Sequence, residues 1–204
     1  MSSPPHRSSC VARVRGRFVF LGVVSLALAG CGGGPPPVTF DLVQPEVVAK
    51  KALHVKRQFV VTEPIALQPL DSEHVLVRRS DGTLATLAHA QWSDRLPRLV
   101  QARIVQAFEN AGAVGRVGIA GGPITPDLTL DVEIRVFEVN AGAGQGKIEL
   151  AIKLVNAVTG RTVAARVIQA DAPGATEGPE AVETLDRALG QVLREIVRWA
   201  GPRI

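Results

Sequence analysis

The chain has 204 residues, 46% hydrophobic and 4% aromatic, with two Cys, no Tyr, and 23 Lys plus Arg against 19 Asp plus Glu. The basic excess sits wholly in the first 30 residues, which hold Arg7, Arg13, Arg15 and Arg17 and no acidic residue. The other 174 residues are formally neutral, which removes the main support for nucleic-acid binding through phosphate neutralisation.

The first predicted element is an address. The apolar run Phe18 to Ala29 is broken only by Gly22 and Ser25 and falls short of the roughly 20 residues that a membrane-spanning helix needs. It closes on Leu28, Ala29, Gly30 and Cys31, which resembles a bacterial lipobox: an aliphatic residue, two small residues that fit a narrow peptidase site, then the cysteine. Residues 1–30 therefore read as a lipoprotein signal peptide, with Cys31 as the lipidated residue and 31–38 as a Gly/Pro tether. The alternative is an uncleaved anchor in which Cys31 is an ordinary thiol. In the lipoprotein reading Cys10 leaves with the signal and Cys31 is consumed by lipid, so no disulfide supports the fold. Gly32 after the cysteine, rather than Asp, resembles the sorting pattern for the inner leaflet of the outer membrane.

Residues 39–204 read as one domain, a length that can bury about 70% of its unfolded surface without cross-links. Thr39 to Val43 is a short apolar strand, and Lys51 to Val61 alternates loosely. His74 to Arg79 and Thr83 to Leu87 flank the Ser80-Asp81-Gly82 turn signal as a hairpin. Ser93 is placed to cap a helix from Asp94, with Pro97 in its first turn and Leu96, Leu99, Val100, Ile104, Ala107 and Phe108 at helical spacing. That helix should end near Gly112, before a short strand over Val114 to Ala120. Leu128, Leu130, Val132, Ile134 and Val136 alternate with polar residues, and Ile148 to Leu154 repeats the pattern. Thr159-Gly160 turns the chain into a third run, Arg161 to Ala170, giving an antiparallel meander with one polar face. Ala181 to Trp199 carries an apolar helical stripe that Gly201-Pro202 stops. The predicted class is α+β: one domain with a mainly antiparallel, possibly mixed, sheet and two amphipathic helices packed on its apolar face.

Catalytic patterns are sparse. The Gly142 to Lys147 segment lacks the Gly and the Ser or Thr that a phosphate loop requires, and it joins two strands instead of opening a helix. His54, His74 and His89 have no metal-ligand spacing. No G-x-S-x-G elbow exists, so Ser72, Ser80 and Ser93 read as turn or cap residues. Asp131 and Glu133 share a polar strand face, read as solvated or partner-facing. No metal and no cofactor is implied, and the chain reads as non-catalytic. Trp92 and Trp199 are the large anchors; they read as closing the core, the alternative being a contact with a neighbouring subunit.

Several weak motifs stand in a telling order: the lipobox, Phe40-Asp41-Leu42 after the tether, Trp92-Ser93-Asp94 before the first helix, Phe137-Glu138 ending the long strand, Thr159-Gly160, and a closing Ile196-Val197-Arg198-Trp199. In this the chain resembles the ABC-type transport auxiliary lipoproteins, the PqiC-like components, over roughly Phe40 to Trp199. Phe40 stands where that family usually has Tyr. The resemblance implies an outer-membrane lipoprotein, facing the periplasm, of an MCE-type system that moves lipid across the envelope. Its implied partners are an MCE-domain protein and the associated permease and ATPase, with assembly into a homo-oligomeric ring in some members. Phe40, Trp92, Phe137 and Trp199 become the candidate core or interface aromatics. The rival readings are an assembly lipoprotein of another outer-membrane complex and a membrane-tethered hydrolase.

Overall fold

The strict alternation of Leu128, Leu130, Val132 and Ile134 makes strand β7 (Leu128–Asn140) the spine of the molecule. The computed structural model describes residues 36–44 and 56–204. Along one edge β7 pairs antiparallel with β8 (Gln145–Asn156), which pairs in turn with β9 (Thr162–Pro173), the predicted meander. Along its other edge three short segments follow one another, all parallel to it: β2 (Phe59–Val61), β3 (Ile65–Ala66) and β4 (His74–Arg78). β4 forms the predicted hairpin with β5 (Leu84–Trp92). The Asp81 carboxylate closes that turn by accepting from the Thr83 N–H at 2.8 Å and its hydroxyl at 2.6 Å. β1 (Val38–Phe40) lies parallel to β5, and β6 (Val117–Ile119) lies parallel to β2. The result is a nine-stranded mixed sheet whose long pairings are antiparallel and whose parallel ones span only two or three residues each.

Two details depart from the alternation. Register slips between Ile134 and Val136, leaving Arg135 as a bulged residue that exchanges the two faces of the strand beyond it. Phe137 and Val139 therefore point into the core, and Val136, expected there, is only half-buried. The second departure is the first helix, α1 (Leu96–Phe108), which starts two residues later than Ser93 capping would place it, with Pro97 in its first turn and no side-chain cap. The Ser93 N–H instead donates to the Phe40 carbonyl at 2.7 Å, extending the β1–β5 ladder. α1 passes into a wide π turn over Glu109–Ala113 that contains Gly112.

α2 (Glu180–Ala200) is buried at twelve of its 21 positions and packs across β8 and β9, while α1 packs against β2, β6 and α2. One apolar cluster joins both helices to the same sheet face, with Phe59 edge-on to Phe108 at 4.8 Å. Residues Pro37–Ile204 form a compact unit.

Candidate functional site

Four consecutive residues, Phe40 to Val43, begin on the last residue of β1, and side chains from both helices hold them. Arg103 occupies a position on the apolar stripe of α1, where its guanidinium is buried and must find partners to offset desolvation. It donates from Nε to the Leu42 carbonyl at 2.6 Å and pairs with the Asp41 carboxylate at 2.8 Å. From α2, the Asp186 carboxylate accepts the Val43 N–H at 3.1 Å. Leu42 itself is 1% exposed. This lead-in, Phe40 to Val43, is thus held by a parallel strand pair, a buried guanidinium and a helix carboxylate. Beside this clamp an open pocket of about 520 Å³ lies between Val43–Gln44 and the outer side of α2, with Asp186, Arg187 and Arg194 on its wall.

Desolvation lifts the Asp186 carboxyl from its ordinary 3.8 to about 6. The Val43 N–H and the Arg103 charge act the other way, and Asp41 and Glu183 reinforce the rise. The folded state therefore holds this proton more tightly than the unfolded chain. Its stabilising effect is complete below pH about 4 and is lost as pH rises from there through about 6. Asp186→Asn keeps an acceptor for Val43 and removes the titration. It is expected to stabilise the domain at pH 7.5 by about 1 kcal/mol, the partial exposure of the carboxylate screening the rest, with little effect at pH 3.5. Urea unfolding at the two pH values checks this, and an equal effect at both would contradict it.

The polar sheet face carries a second concavity, a groove of about 650 Å³ between the β3 segment and the strands β7 and β8. Ile65 and Leu67 stand 71% and 80% exposed at its rim, Ala151 lines it, and Lys153 lies opposite Asp131 across the strands. Asp131 accepts from the Thr62 hydroxyl at 3.3 Å, and Glu133 pairs with Arg135 at 3.3 Å. Each acid thus has a local partner, and the two form no acid/base pair of separated roles. Above the bulge, Glu138 is buried against Arg78, whose Nε lies 2.5 Å from its carboxylate. That charge and hydrogen bond hold the Arg78 pKa above its ordinary value.

The residues singled out in the sequence are dispersed. His74 and His89 are exposed on β4 and β5, and no group of metal-ligating side chains occurs among the described residues. The Gly142–Gly144 stretch is the tip of the β7–β8 hairpin. The Ser72 hydroxyl donates to the Pro69 carbonyl at 2.6 Å in a turn. Phe40, Trp92 and Phe137 are neighbours: Phe40 is in register with Trp92 across β1 and β5, and Trp92 meets Phe137 edge-on at 5.9 Å. Trp199 lies apart, 7% exposed, with the Arg203 guanidinium over its ring at 5.1 Å. Leu28, Ala29, Gly30, Cys31 and His54 lie outside the described residues, as does much of the Lys51 to Val61 run. Sequence reading missed Arg103 and Asp186. An arginine at helical spacing within an apolar stripe was the available sign of the first; nothing local marks the second.

The model of a family described as the ABC-type transport auxiliary lipoprotein component matches residues 40–197. An uncharacterized protein of Bradyrhizobium diazoefficiens, bll6063, is 29% identical over 179 residues, covering 82% of this chain and 46% of its own length. The chain thus spans about half the length of that curated relative. Among solved structures, protein XCC0632 from Xanthomonas campestris is 25% identical with a TM-score of 0.73, covering 81% of this chain and 95% of that one. Another crystal structure, of an uncharacterized protein, shares the fold at 17% identity and a TM-score of 0.63, covering 81% of this chain and 99% of that one.

Proposed function

The chain belongs to the ABC-type transport auxiliary lipoprotein family, and from that premise we propose that it is a non-catalytic docking component of an MCE-type lipid-transport system. In this reading it is anchored through Cys31 in the inner leaflet of the outer membrane and faces the periplasm. The observation that carries the proposal is the family match over residues 40–197, from Phe40 into the last turn of α2. Acylation at Cys31 would confine the domain near the bilayer and raise its effective concentration for a partner that spans the periplasm. The local partners of Asp131 and Glu133 support the reading of this strand face as solvated or partner-facing.

Among the described residues no helix is long and apolar enough to cross a membrane. The acyl chains on Cys31, worth about 0.8 kcal/mol per buried methylene, would supply the attachment. The test is recovery from cross-linked membranes of the intact protein and of Cys31→Ser. Intact protein is expected in the outer-membrane fraction together with an MCE-domain protein, and Cys31→Ser in the soluble periplasmic fraction. Intact protein that never brings down an MCE-domain partner overturns the transport role. Unchanged outer-membrane attachment of Cys31→Ser overturns the anchor.

A further inference from the structure

Strands β6, β2, β7 and β8 reach one end of the sheet together. Val117, Phe59, Leu128 and Asn156 stand in a single register line, and main-chain hydrogen bonds lace the segments just beyond them. The Phe59 N–H donates to the Arg116 carbonyl at 2.9 Å, the Asp127 N–H to the Gln58 carbonyl at 2.8 Å, the Ala157 N–H to the Asp127 carbonyl at 3.0 Å, and the Asn156 N–H to the Arg161 carbonyl at 2.9 Å. α1 finishes at the same end, where Phe108 packs on Phe59 and Glu109–Ala113 follows it.

Lys56, Arg57, Arg116 and Arg161 are all exposed here, and none has an ion-pair partner among the described residues. The acids of these segments are Glu109 and Asp127, and the Asp127 carboxylate already accepts the Gln58 N–H at 2.9 Å. Four cations thus stand against two anions, and two valines protrude among them. Val158 is 88% exposed on the β8–β9 turn, which the Asn156 side chain fixes by accepting the N–H groups of Val158 at 3.1 Å and Thr159 at 2.8 Å. Val114 is 74% exposed at the corner of a turn closed by the Arg116 N–H on the Ala113 carbonyl at 2.9 Å. At the other end of β8, where α2 packs on Gly146, the start of that helix carries Glu177, Glu180 and Glu183 instead.

From this arrangement we propose that the basic end docks an acidic protein surface, with Val158 and Val114 entering apolar depressions between its carboxylates. This docking rests on the transport reading above and gives the face that meets the periplasm-spanning partner. Charge fixes the sign of the partner, since unpaired surface cations steer in an acidic surface and repel a basic one. Strand direction favours a protein over a bilayer. β1 is parallel to β5, β5 antiparallel to β4, and β4 parallel to β7. β1 therefore runs against β7, and its first residue, Val38, is its end farther from the basic patch. An anchor that precedes Val38 leaves the basic end free for a partner in the periplasm.

A photo-cross-linking amino acid at position 158 of the full-length chain, in cells, tests this, with one at the exposed Ala143 on the β7–β8 turn as the far-end control. The MCE-domain protein is expected on position 158 and not on position 143. Arg116→Glu together with Arg161→Glu should lower the yield at position 158 about tenfold, with an unchanged circular dichroism spectrum of the Pro37–Ile204 unit. Arg116→Lys with Arg161→Lys should retain it. Capture at position 158 no stronger than at 143, or a yield indifferent to charge reversal, overturns this docking and leaves the transport reading standing so long as general cross-linking still recovers the MCE-domain protein. Where general cross-linking recovers none, the transport reading falls and this docking with it. Flotation of the Pro37–Ile204 unit with vesicles of phosphatidylglycerol and phosphatidylethanolamine, abolished by the charge reversal, would give this end to a bilayer and overturn the protein partner.

Discussion

Replacing Trp92 by alanine is expected to destabilise the Pro37–Ile204 unit by about 3–5 kcal/mol, the range for truncating a large aromatic in a closed core. Trp92 is 1% exposed and lies where three parts of the molecule converge. It ends β5, stands in register with Phe40 of the lead-in, and meets Phe137, the first core residue beyond the β7 bulge, edge-on at 87°. Its backbone N–H donates to the Glu73 carbonyl at 2.8 Å, so the surrounding chain is pinned and cannot easily close on the cavity. The edge-on pair adds about 0.5–1.5 kcal/mol beyond buried area, which a double-mutant cycle with Phe137→Leu isolates. Urea unfolding reads the total; a loss under about 1.5 kcal/mol would mean that Trp92 is not a core anchor.

Gly146→Ala should cost about 1–3 kcal/mol, and Gly146→Val more, because α2 presses its backbone against this glycine. A Cβ built there meets the Thr184 carbonyl oxygen at 2.9 Å and the Leu185 nitrogen at 3.2 Å. Those are main-chain atoms of a helix and cannot rotate aside, so α2 must retreat from β8. Gly144, two residues earlier, supplies the internal control. Its φ is +65°, and a Cβ there meets nothing within 4 Å, so Gly144→Ala pays only the left-handed backbone penalty of about 1–2 kcal/mol. Comparing the two by hydrogen exchange separates the causes. Gly146→Ala should deprotect the first half of α2, and Gly144→Ala should leave α2 protection unchanged. Loss of α2 protection in both variants would show that the hairpin tip, rather than close helix packing, governs the effect.

Both predictions turn on residues whose sequence signal was partial. The Gly142 to Lys147 stretch is glycine-rich enough to suggest a phosphate loop, and spacing rejects that reading, but no local pattern says that Gly146 alone is needed for the approach of a helix some forty residues away. Trp92 is marked as an anchor by its size and rarity. Its partner Phe137 is obscured by Arg135, since a bulge exchanges strand faces and simple alternation continues to Val136 instead. Ser93 is a reasonable cap by type, yet its backbone N–H serves the β1 ladder, an interaction with a segment more than fifty residues away. The candidate site shows the same division. Phe40-Asp41-Leu42 stands out after the tether, and Arg103 is visible as a charge within an apolar stripe, whereas Asp186 gives no local sign.

The long strands of the meander, the hairpin at Asp81 and the two amphipathic helices all rest on near-neighbour chemistry. Apolar periodicity and turn residues act over a few positions, so the amino-acid sequence by itself determined them. Only the tertiary structure decided which short segments line the second edge of β7, that they run parallel to it, and that the lead-in is held between Arg103 and Asp186. Two- and three-residue strands carry too little pattern to specify a partner. Their pairing is fixed by which buried backbone groups remain unsatisfied once the long strands and helices have packed, and that is a property of the assembled core.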